Sequence, residues 1–230
     1  DCMLLHALLP VFLIFKYVYG LDKVEREPLG FVLKVLIYGA IFSLPCAGVE
    51  RFLSGVLPAF YDVETVKYAF IENTVGVALV EELSKWLVFM FLVWKNNNFD
   101  YRYDGIVYAV SASLGFAALE NVLYVINFGT GISLGRAIFA IPGHTTFGVF
   151  MGYFLSRAKH YDLHGNQFAS NLLKLFSIAI PALIHGCYDA LLSDQVAVAG
   201  YQWVFYIFVI FLDIWAWQII KQEFRTDRRL

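Results

Sequence analysis

The chain alternates between long apolar stretches and short polar links. Seven stretches approach or exceed the ~20 mostly apolar residues that a bilayer span needs. They lie at residues 4–19, 29–49, 68–94, 105–128, 136–155, 172–192 and 201–220. Helices are the expected conformation, because lipid offers no partner to a backbone amide and a helix satisfies its amides internally. The pattern predicts an all-α, polytopic transmembrane helix bundle with about seven spans.

Composition supports a membrane protein and excludes several other classes. Of the 230 residues, 60% are hydrophobic and 16% are charged, whereas soluble domains hold about 45–50% and about 25%. A soluble enzyme and a disordered chain are therefore excluded. The net charge of −2 supplies no basic face for a nucleic-acid partner. Because the spans use most of the chain, residues 1–230 are predicted to form a single domain embedded in the lipid bilayer.

Lysine and arginine in the links predict how the chain is oriented, because basic residues accumulate in cytoplasmic links. The links after spans one, three and five, together with the tail at 221–230, hold ten of these residues, and the opposite side holds three. The sequence therefore predicts an N-terminus outside the cell and a cytoplasmic C-terminal tail.

Four spans carry polar side chains that are costly in a membrane, where one charge costs ~2.5–3.5 kcal/mol on insertion scales. The span at 68–94 has two glutamates and a lysine. The next three spans have a Glu-Asn pair, an isolated histidine, and a histidine followed by an aspartate. With one tyrosine, the set is Glu81, Glu82, Lys85, Glu120, Asn121, Tyr124, His144, His185 and Asp189.

Helical spacing groups several of these side chains. Glu81 and Glu82 lie four and three residues before Lys85, so the lysine can neutralise one carboxylate but not both. An adjacent carboxyl pair of this kind suits a general base or acid. His185 and Asp189 are also four residues apart, which allows the carboxylate to orient the imidazole.

Depth in the membrane unites the four spans. At ~1.5 Å per residue, Glu120, His144 and His185 lie ~10–12 Å below the outer ends of their spans. Glu81 lies ~20 Å along a longer helix by the same rise, and Tyr124 shares a helix face with Glu120. The sequence therefore predicts one polar cavity, in the outer half of the membrane, between the spans at 68–192.

The motifs together resemble those of the PrsW family of intramembrane proteases. They are Glu81-Glu-x-x-Lys85, Asp104-Gly-Ile-Val-Tyr-Ala109, Gly115-Phe-Ala-Ala-Leu-Glu-Asn121, the isolated His144 and His185-Gly-x-x-Asp189, with Glu27-Pro28 after span one. The family is distantly related to the CAAX prenyl endopeptidase and abortive-infection superfamily. That superfamily has an arginine one residue later than Lys85 and a phenylalanine four residues before the histidine. Here Phe139 is five residues before His144, which favours PrsW.

The resemblance implies an intramembrane endopeptidase in the cytoplasmic membrane of a bacterium, with its motif helices at 68–192. It implies site-1-type cleavage of a single-span membrane protein, such as an anti-sigma factor, near the extracytoplasmic side. Glu81 is implied as the base that activates water, with Glu82 as the competing assignment and His144 as its partner. His185 and Asp189 are implied on the oxyanion side. The supporting residues are Lys85, Glu120, Asn121 and Tyr124.

Two alternatives to a glutamate mechanism stay open. No cofactor is predicted, because the HExxH pattern of zinc proteases is absent from the sequence. The first alternative is a zinc protease in which His144, His185 and either Glu120 or Glu81 hold the ion. The second is a proton-coupled transporter or binding scaffold, since buried Glu, His and Lys also serve proton relays. The paired repeats typical of transporters are not found in the sequence.

Overall fold

The computed structural model describes residues 2–129, 131 and 133–230, and these form eight helices and no strand. Helix α3 is continuous through a π-helical middle, and α5 begins with a short α turn and a π segment. The helices are α1 (Cys2–Leu21), α2 (Leu29–Val56), α3 (Val66–Ile71, Glu72–Ala78 and Leu79–Leu92), α4 (Asp104–Phe128), α5 (Ser133–Gly135, Arg136–Ala140 and Ile141–Leu163), α6 (Gln167–Leu192), α7 (Asp194–Val198) and α8 (Trp203–Arg225).

Helix α4 lies at the centre of the bundle and contacts α1, α2, α3 and α5. Its first half is buried on every side, as expected for a helix that is apolar all round. Small residues allow the close approach. A Cβ added to Gly39 of α2 would lie 2.1 Å from the Ala112 carbonyl oxygen, and one on Gly115 would lie 1.8 Å from the Leu36 carbonyl oxygen. Membrane helices commonly pack through such small residues.

Helices α3 to α6 form one ring, in which α3 contacts α4 and α6, and α5 contacts α4 and α6. The prediction that the four motif helices share a bundle is therefore confirmed. Helix α8 packs outside this ring against α5 and α6, as expected for an apolar run at 201–220 whose one charged residue is Asp213. Its outer face exposes large apolar side chains such as Ile207, Ile210 and Phe211, which suits contact with lipid.

The membrane-helix class predicted from the sequence is confirmed. Five helical segments are long and apolar enough to cross a bilayer, namely Leu29–Ala59, Asp104–Phe128, Arg136–Leu163, Gln167–Leu192 and Trp203–Arg225. A shorter apolar helix covers Ala7–Leu21, and α3 carries the buried charges. The count of seven spans and the orientation stay predictions. Several helices extend beyond the predicted runs, and α2 ends at Val56 instead of residue 49.

The links that hold most of the basic residues lie at one end of the bundle. The tail meets the link at 95–103 through the Leu230 N–H, which donates to the Asp100 carbonyl at 2.7 Å. The Ser156 hydroxyl on α5 donates to the Arg102 carbonyl at 2.6 Å. We call this the basic end. The structure confirms that these links share one side, as the charge pattern predicts.

The link between α1 and α2 is fixed to α4 at the basic end by buried acidic side chains. The Tyr108 hydroxyl donates to a Glu27 carboxylate oxygen, and the Glu27 N–H donates to Asp22 at 3.0 Å. Asp104 accepts from the Asp100 N–H at 3.0 Å. Asp22, Glu27 and Asp104 are each almost fully buried. The Glu-Pro and Asp-Gly motifs of the sequence therefore serve this contact rather than the polar cavity.

Candidate active site

A cavity of about 580 Å³ opens between helices α2 to α6. Its wall runs from Glu81 to Asn127 and Phe128 at the end of α4. Because α4 starts at the basic end, the cavity lies in the opposite half of the bundle. Each of the five helices contributes polar side chains. These are Ser43, Glu50, Asn73, Glu81, Glu120, Tyr124, Asn127, Arg136, His144, His185, Tyr188 and Asp189.

Lys85 is fully buried below the cavity and binds three acceptors. Its Nζ lies 3.1 Å from Glu81 Oε2 and 2.7 Å from Glu82 Oε1. It also lies 3.0 Å from His144 Nδ1. An ammonium group has three N–H donors, so each donor has one partner. The predicted pairing of Lys85 with a carboxylate is confirmed, and Lys85 lies about one turn after Glu81 along α3. The same contacts fix the His144 tautomer, because Nδ1 must accept from the lysine and Nε2 must carry the proton.

His144 connects Lys85 to a second charged group on the cavity wall. Its Nε2 lies 2.9 Å from Glu120 Oε2, and Glu120 Oε1 lies 3.1 Å from Arg136 Nη2. Arg136 also donates to Asn121 at 2.9 Å and stacks on Tyr124, 3.9 Å from the ring centroid. A carboxylate that accepts the Nε2–H holds the imidazole in one orientation.

His185 lies between two carboxylates. Its Nδ1 is 3.0 Å from Glu82 Oε1, and its Nε2 is 3.1 Å from Asp189 Oδ2. Ionised carboxylates only accept hydrogen bonds, so these contacts suit a doubly protonated ring in which both N–H groups donate. The ring also stacks on Phe147 at a centroid distance of 4.4 Å.

The two histidines lie within reach of the same glutamate. His144 Nδ1 is 3.9 Å and His185 Nδ1 is 4.0 Å from Glu81 Oε2. At these distances one water molecule can contact Glu81 and a histidine at once, since general-base catalysis needs contacts of ~3 Å. One ligand atom from each of the three residues lies within 4.8 Å of the others, so the cluster also has donors of the type that bind Zn²⁺.

The predicted residues divide into two groups. Six of them line the cavity, and the list is Glu81, Glu120, Tyr124, His144, His185 and Asp189. Glu82, Lys85 and Asn121 are 0% exposed and lie behind the wall. Asn121 donates to the Ala7 carbonyl at 2.7 Å and so ties α1 to α4.

Six polar residues of the cavity lie outside the predicted site, namely Ser43, Glu50, Asn73, Asn127, Arg136 and Tyr188. Glu50 looks like the end of a span, but α2 continues to Val56 and brings it to the cavity. Arg136 is interpreted as a link residue, although it pairs with Glu120. Asn73 lies in the π-helical part of α3 and lines the cavity, in agreement with its interpretation from the sequence, with Glu72, as part of an entry at the outer rim of the span. For Glu50 and Arg136 the signal available in the sequence is weak, because each stands at the edge of an apolar run.

The sequence of the chain matches those of known proteins. The model of a family described as PrsW family intramembrane metalloprotease matches residues 27–215. The chain is 38% identical over 184 residues to the protease PrsW of Oceanobacillus iheyensis, with 80% of each chain covered. It is 31% identical over 215 residues to the protease PrsW of Bacillus subtilis, covering 93% of this chain and 91% of the relative. A third relative, the protease PrsW of Geobacillus kaustophilus, is 34% identical over 209 residues, covering 90% and 84%.

No solved structure matches the chain. The family match covers most of its length and includes every cavity residue from α2 to α6. The chain therefore belongs to the PrsW family of intramembrane proteases.

Proposed function

We propose that the chain hydrolyses a peptide bond of a single-span membrane protein inside the cavity between α2 and α6. The observation that carries this proposal is the convergence of Glu81, His144 and His185 on one wall. The Nδ1 atom of each histidine lies within 4.0 Å of Glu81 Oε2. A water-attack reaction needs a base and a donor to the developing oxyanion at one place. This cluster supplies both.

Glu81 is the proposed base, in preference to Glu82. Glu81 lines the cavity, whereas Glu82 is fully buried behind it. In the reaction, Glu81 takes a proton from water as the water oxygen bonds to the carbonyl carbon. The same proton is then given to the leaving amine as the C–N bond breaks. Glu82 instead holds Lys85 and His185 through one carboxylate oxygen.

Lys85 and His144 are the proposed positioning residues for this base. Lys85 binds Glu81 at 3.1 Å and favours its ionised form, because an opposite charge nearby stabilises the carboxylate. His144 does not bond Glu81 directly. Its link to the glutamate passes through the Lys85 ammonium, and Glu120 holds the far side of the ring.

His185 is the proposed donor to the oxyanion. Its Nε2–H donates to Asp189, whose side chain is 29% exposed on the cavity wall. A substrate carbonyl oxygen can replace Asp189 as the acceptor, and the positive ring then stabilises the negative charge that develops there. Asp189 acts through His185, since a carboxylate cannot donate to an oxyanion.

The proposed substrate is a protein with one transmembrane segment, of the anti-sigma-factor class that the family resemblance implies. A cavity of about 580 Å³ between membrane helices admits an extended segment of chain. The cavity lies in the half of the bundle away from the basic end, so the cut falls on the extracytoplasmic side if that end is cytoplasmic.

The test compares membrane-protein fragments in bacterial cells that carry the wild-type chain, Glu81→Gln or Glu72→Gln. Glu72 is a matched control because it lies on the same helix and does not line the cavity. Fragments of a single-span protein are expected with the wild type and the control and absent with Glu81→Gln. With that protein purified, Glu81→Gln should lower the cleavage rate by at least about 10²-fold, the usual contribution of a general base. Unchanged fragments in Glu81→Gln would overturn the proposal.

A zinc-dependent protease is the second candidate, and the Glu81–His144–His185 cluster favours it. These three side chains would hold the ion, and Lys85 would have to leave His144 Nδ1, where its ammonium occupies the lone pair. Zinc in such a site polarises a carbonyl and activates water. Loss of cleavage with 1,10-phenanthroline, with recovery on added Zn²⁺ and no effect of 1,7-phenanthroline, would establish this candidate. Full activity with both compounds and no bound zinc is the result expected from the glutamate mechanism.

A further inference from the structure

A second cavity, of about 340 Å³, lies at the basic end, far from the candidate active site. It is bounded by the start of α4, the last turns of α5 and the first turns of α6. The lining residues are Arg102, Ser156, Arg157, His160, Tyr161 and Leu173. We call this the basic pocket. Its volume is within the range of ligand pockets, about 300–1,000 Å³.

The basic pocket has more positive charge than its neighbours neutralise. Arg157 pairs with Glu223 at 2.9 Å. Arg102 makes no ion pair with any carboxylate in the described part of the chain, which includes the whole basic end. Burial, Arg228 and Arg157 lower the pKa of the Arg102 guanidinium. The carboxylates of Glu223 and Asp227 act on Arg102 in the opposite direction. Three guanidinium groups therefore share two carboxylates, and the excess positive charge favours an anion in the pocket.

The remaining polar groups of the pocket also suit an anion. His160 Nδ1 is buried and has no hydrogen-bond partner among the described residues. The Tyr161 side chain is 41% exposed, and its hydroxyl can donate to a ligand. Guanidinium groups match the geometry of phosphate oxygens and bind them in pairs. Among the residues that the structure describes, none that lines the pocket carries a carboxylate, so a cation is disfavoured.

The position of the pocket adds a membrane component. It lies where α5 ends at Leu163 and α6 begins at Gln167, beyond the apolar runs at 136–155 and 172–192 that are predicted to span the bilayer. Lipid headgroups are expected at this level. Leu173 forms one wall, and the neighbouring Leu172 is 40% exposed. An apolar wall beside a basic pocket accommodates the acyl chains of a lipid whose headgroup occupies the pocket.

We propose that the basic pocket binds a phosphate group, with Arg102 and Arg157 as its charged partners, and that an anionic phospholipid supplies it. Basic pockets between membrane helices commonly serve anionic headgroups. Free phosphate has the same recognising chemistry and is the other source. The site is independent of the proposed hydrolysis, because no residue is shared between the two cavities.

The experiment measures lipid retention by the purified full chain in detergent micelles, using native mass spectrometry. Phosphatidylglycerol, phosphatidylcholine and inorganic phosphate are added in separate arms. The wild type is expected to bind phosphatidylglycerol at least about tenfold more tightly than Arg102→Gln does. This is the change in affinity that one hydrogen bond to a charged group usually contributes. Arg225→Gln is the matched control, because it removes an exposed arginine at the same end but outside the pocket.

Each result assigns or rejects the site. If the wild type retains inorganic phosphate but not phosphatidylglycerol, and Arg102→Gln retains neither, the source is free phosphate. Selective retention of phosphatidylglycerol identifies the lipid. Equal retention by the wild type, Arg102→Gln and Arg225→Gln overturns the proposal. If Arg102→Gln does not fold, Leu173→Trp fills the pocket without changing its charge. Undiminished phosphatidylglycerol retention by that folded variant also overturns the proposal.

Discussion

Lys85 shows how a charged side chain becomes tolerable inside a membrane bundle. Its ammonium has three acceptors, contributed by Glu81, Glu82 and His144, and the Phe116 ring lies 4.5 Å away. Removing one partner of a buried charge typically costs about 3–5 kcal/mol, because the other partner stays buried. Single substitutions around Lys85 therefore affect both stability and the position of Glu81. Cleavage assays of such variants need a folding measurement beside them.

Glu27 offers a prediction about pH, since burial raises its pKa to about 7 and that of Asp22 to about 6. Tyr108, Asp104, Glu25 and Asp22 surround Glu27. Because these acids bind protons more tightly in the folded state, their contribution to stability is present at low pH and is lost as the pH rises through about 7. The Tm of the purified chain should therefore fall between about pH 5 and pH 8, by on the order of 5 °C.

Glu27→Gln should flatten this dependence, because the amide cannot lose a proton, yet it accepts from Tyr108 as the acid does. Part of the dependence of Tm on pH should remain, because Asp22 still titrates. Glu64→Gln is the control, since Glu64 is exposed and does not act on Glu27 or Asp22. A wild-type Tm that is constant over this pH range, or a control variant that flattens it equally, would contradict the prediction. Scanning calorimetry or fluorescence-detected unfolding at each pH measures it.

Helix packing around α4 gives a prediction at the scale of the element. Gly39→Ala should destabilise the fold strongly, because the new Cβ would lie 2.1 Å from the Ala112 carbonyl oxygen and the backbone must move. Gly48→Ala, on the same helix, meets no atom within 4 Å. It should be neutral or stabilising by up to about 1 kcal/mol, from helix propensity. Unfolding midpoints of the two variants measure the difference, and equal midpoints would show that α2 does not pack on α4 in this way.

The sequence predicts the long helices and most of the candidate site, but not the local departures from α-helical geometry. Hydrophobic run lengths locate every long helix, and i,i+4 spacing places Glu81 beside Lys85. The π segments are not predicted. The Leu79 N–H donates to the Thr74 carbonyl and the Ile141 N–H to the Arg136 carbonyl, each five residues back. Such a turn depends on tertiary packing, and it changes which residues upstream face the cavity.

Topology provides the prediction for the whole molecule. The structure gathers the basic links at one end, and the charge pattern predicts that this end is cytoplasmic. In a chain whose native cysteines are replaced by serine, Asn97→Cys should react with a membrane-impermeant maleimide only after the cells are opened. Val198→Cys, which is 90% exposed near the other end, should react in intact cells. The reverse pattern would invert the orientation and move the proposed cleavage to the cytoplasmic side.

The buried charges of α3 have a consequence for the way the chain enters the membrane during synthesis. Glu81, Glu82 and Lys85 make α3 a poor segment for independent insertion, since each charge at mid-membrane costs ~2.5–3.5 kcal/mol at the translocon. Their partners His144 and His185 lie on helices made later. We therefore expect α3 to stay at the translocon or the membrane surface until α5 and α6 have emerged. Insertion of α3 would then depend on synthesis of α5 and α6. A chain truncated before these helices would leave Glu81 and Glu82 unburied.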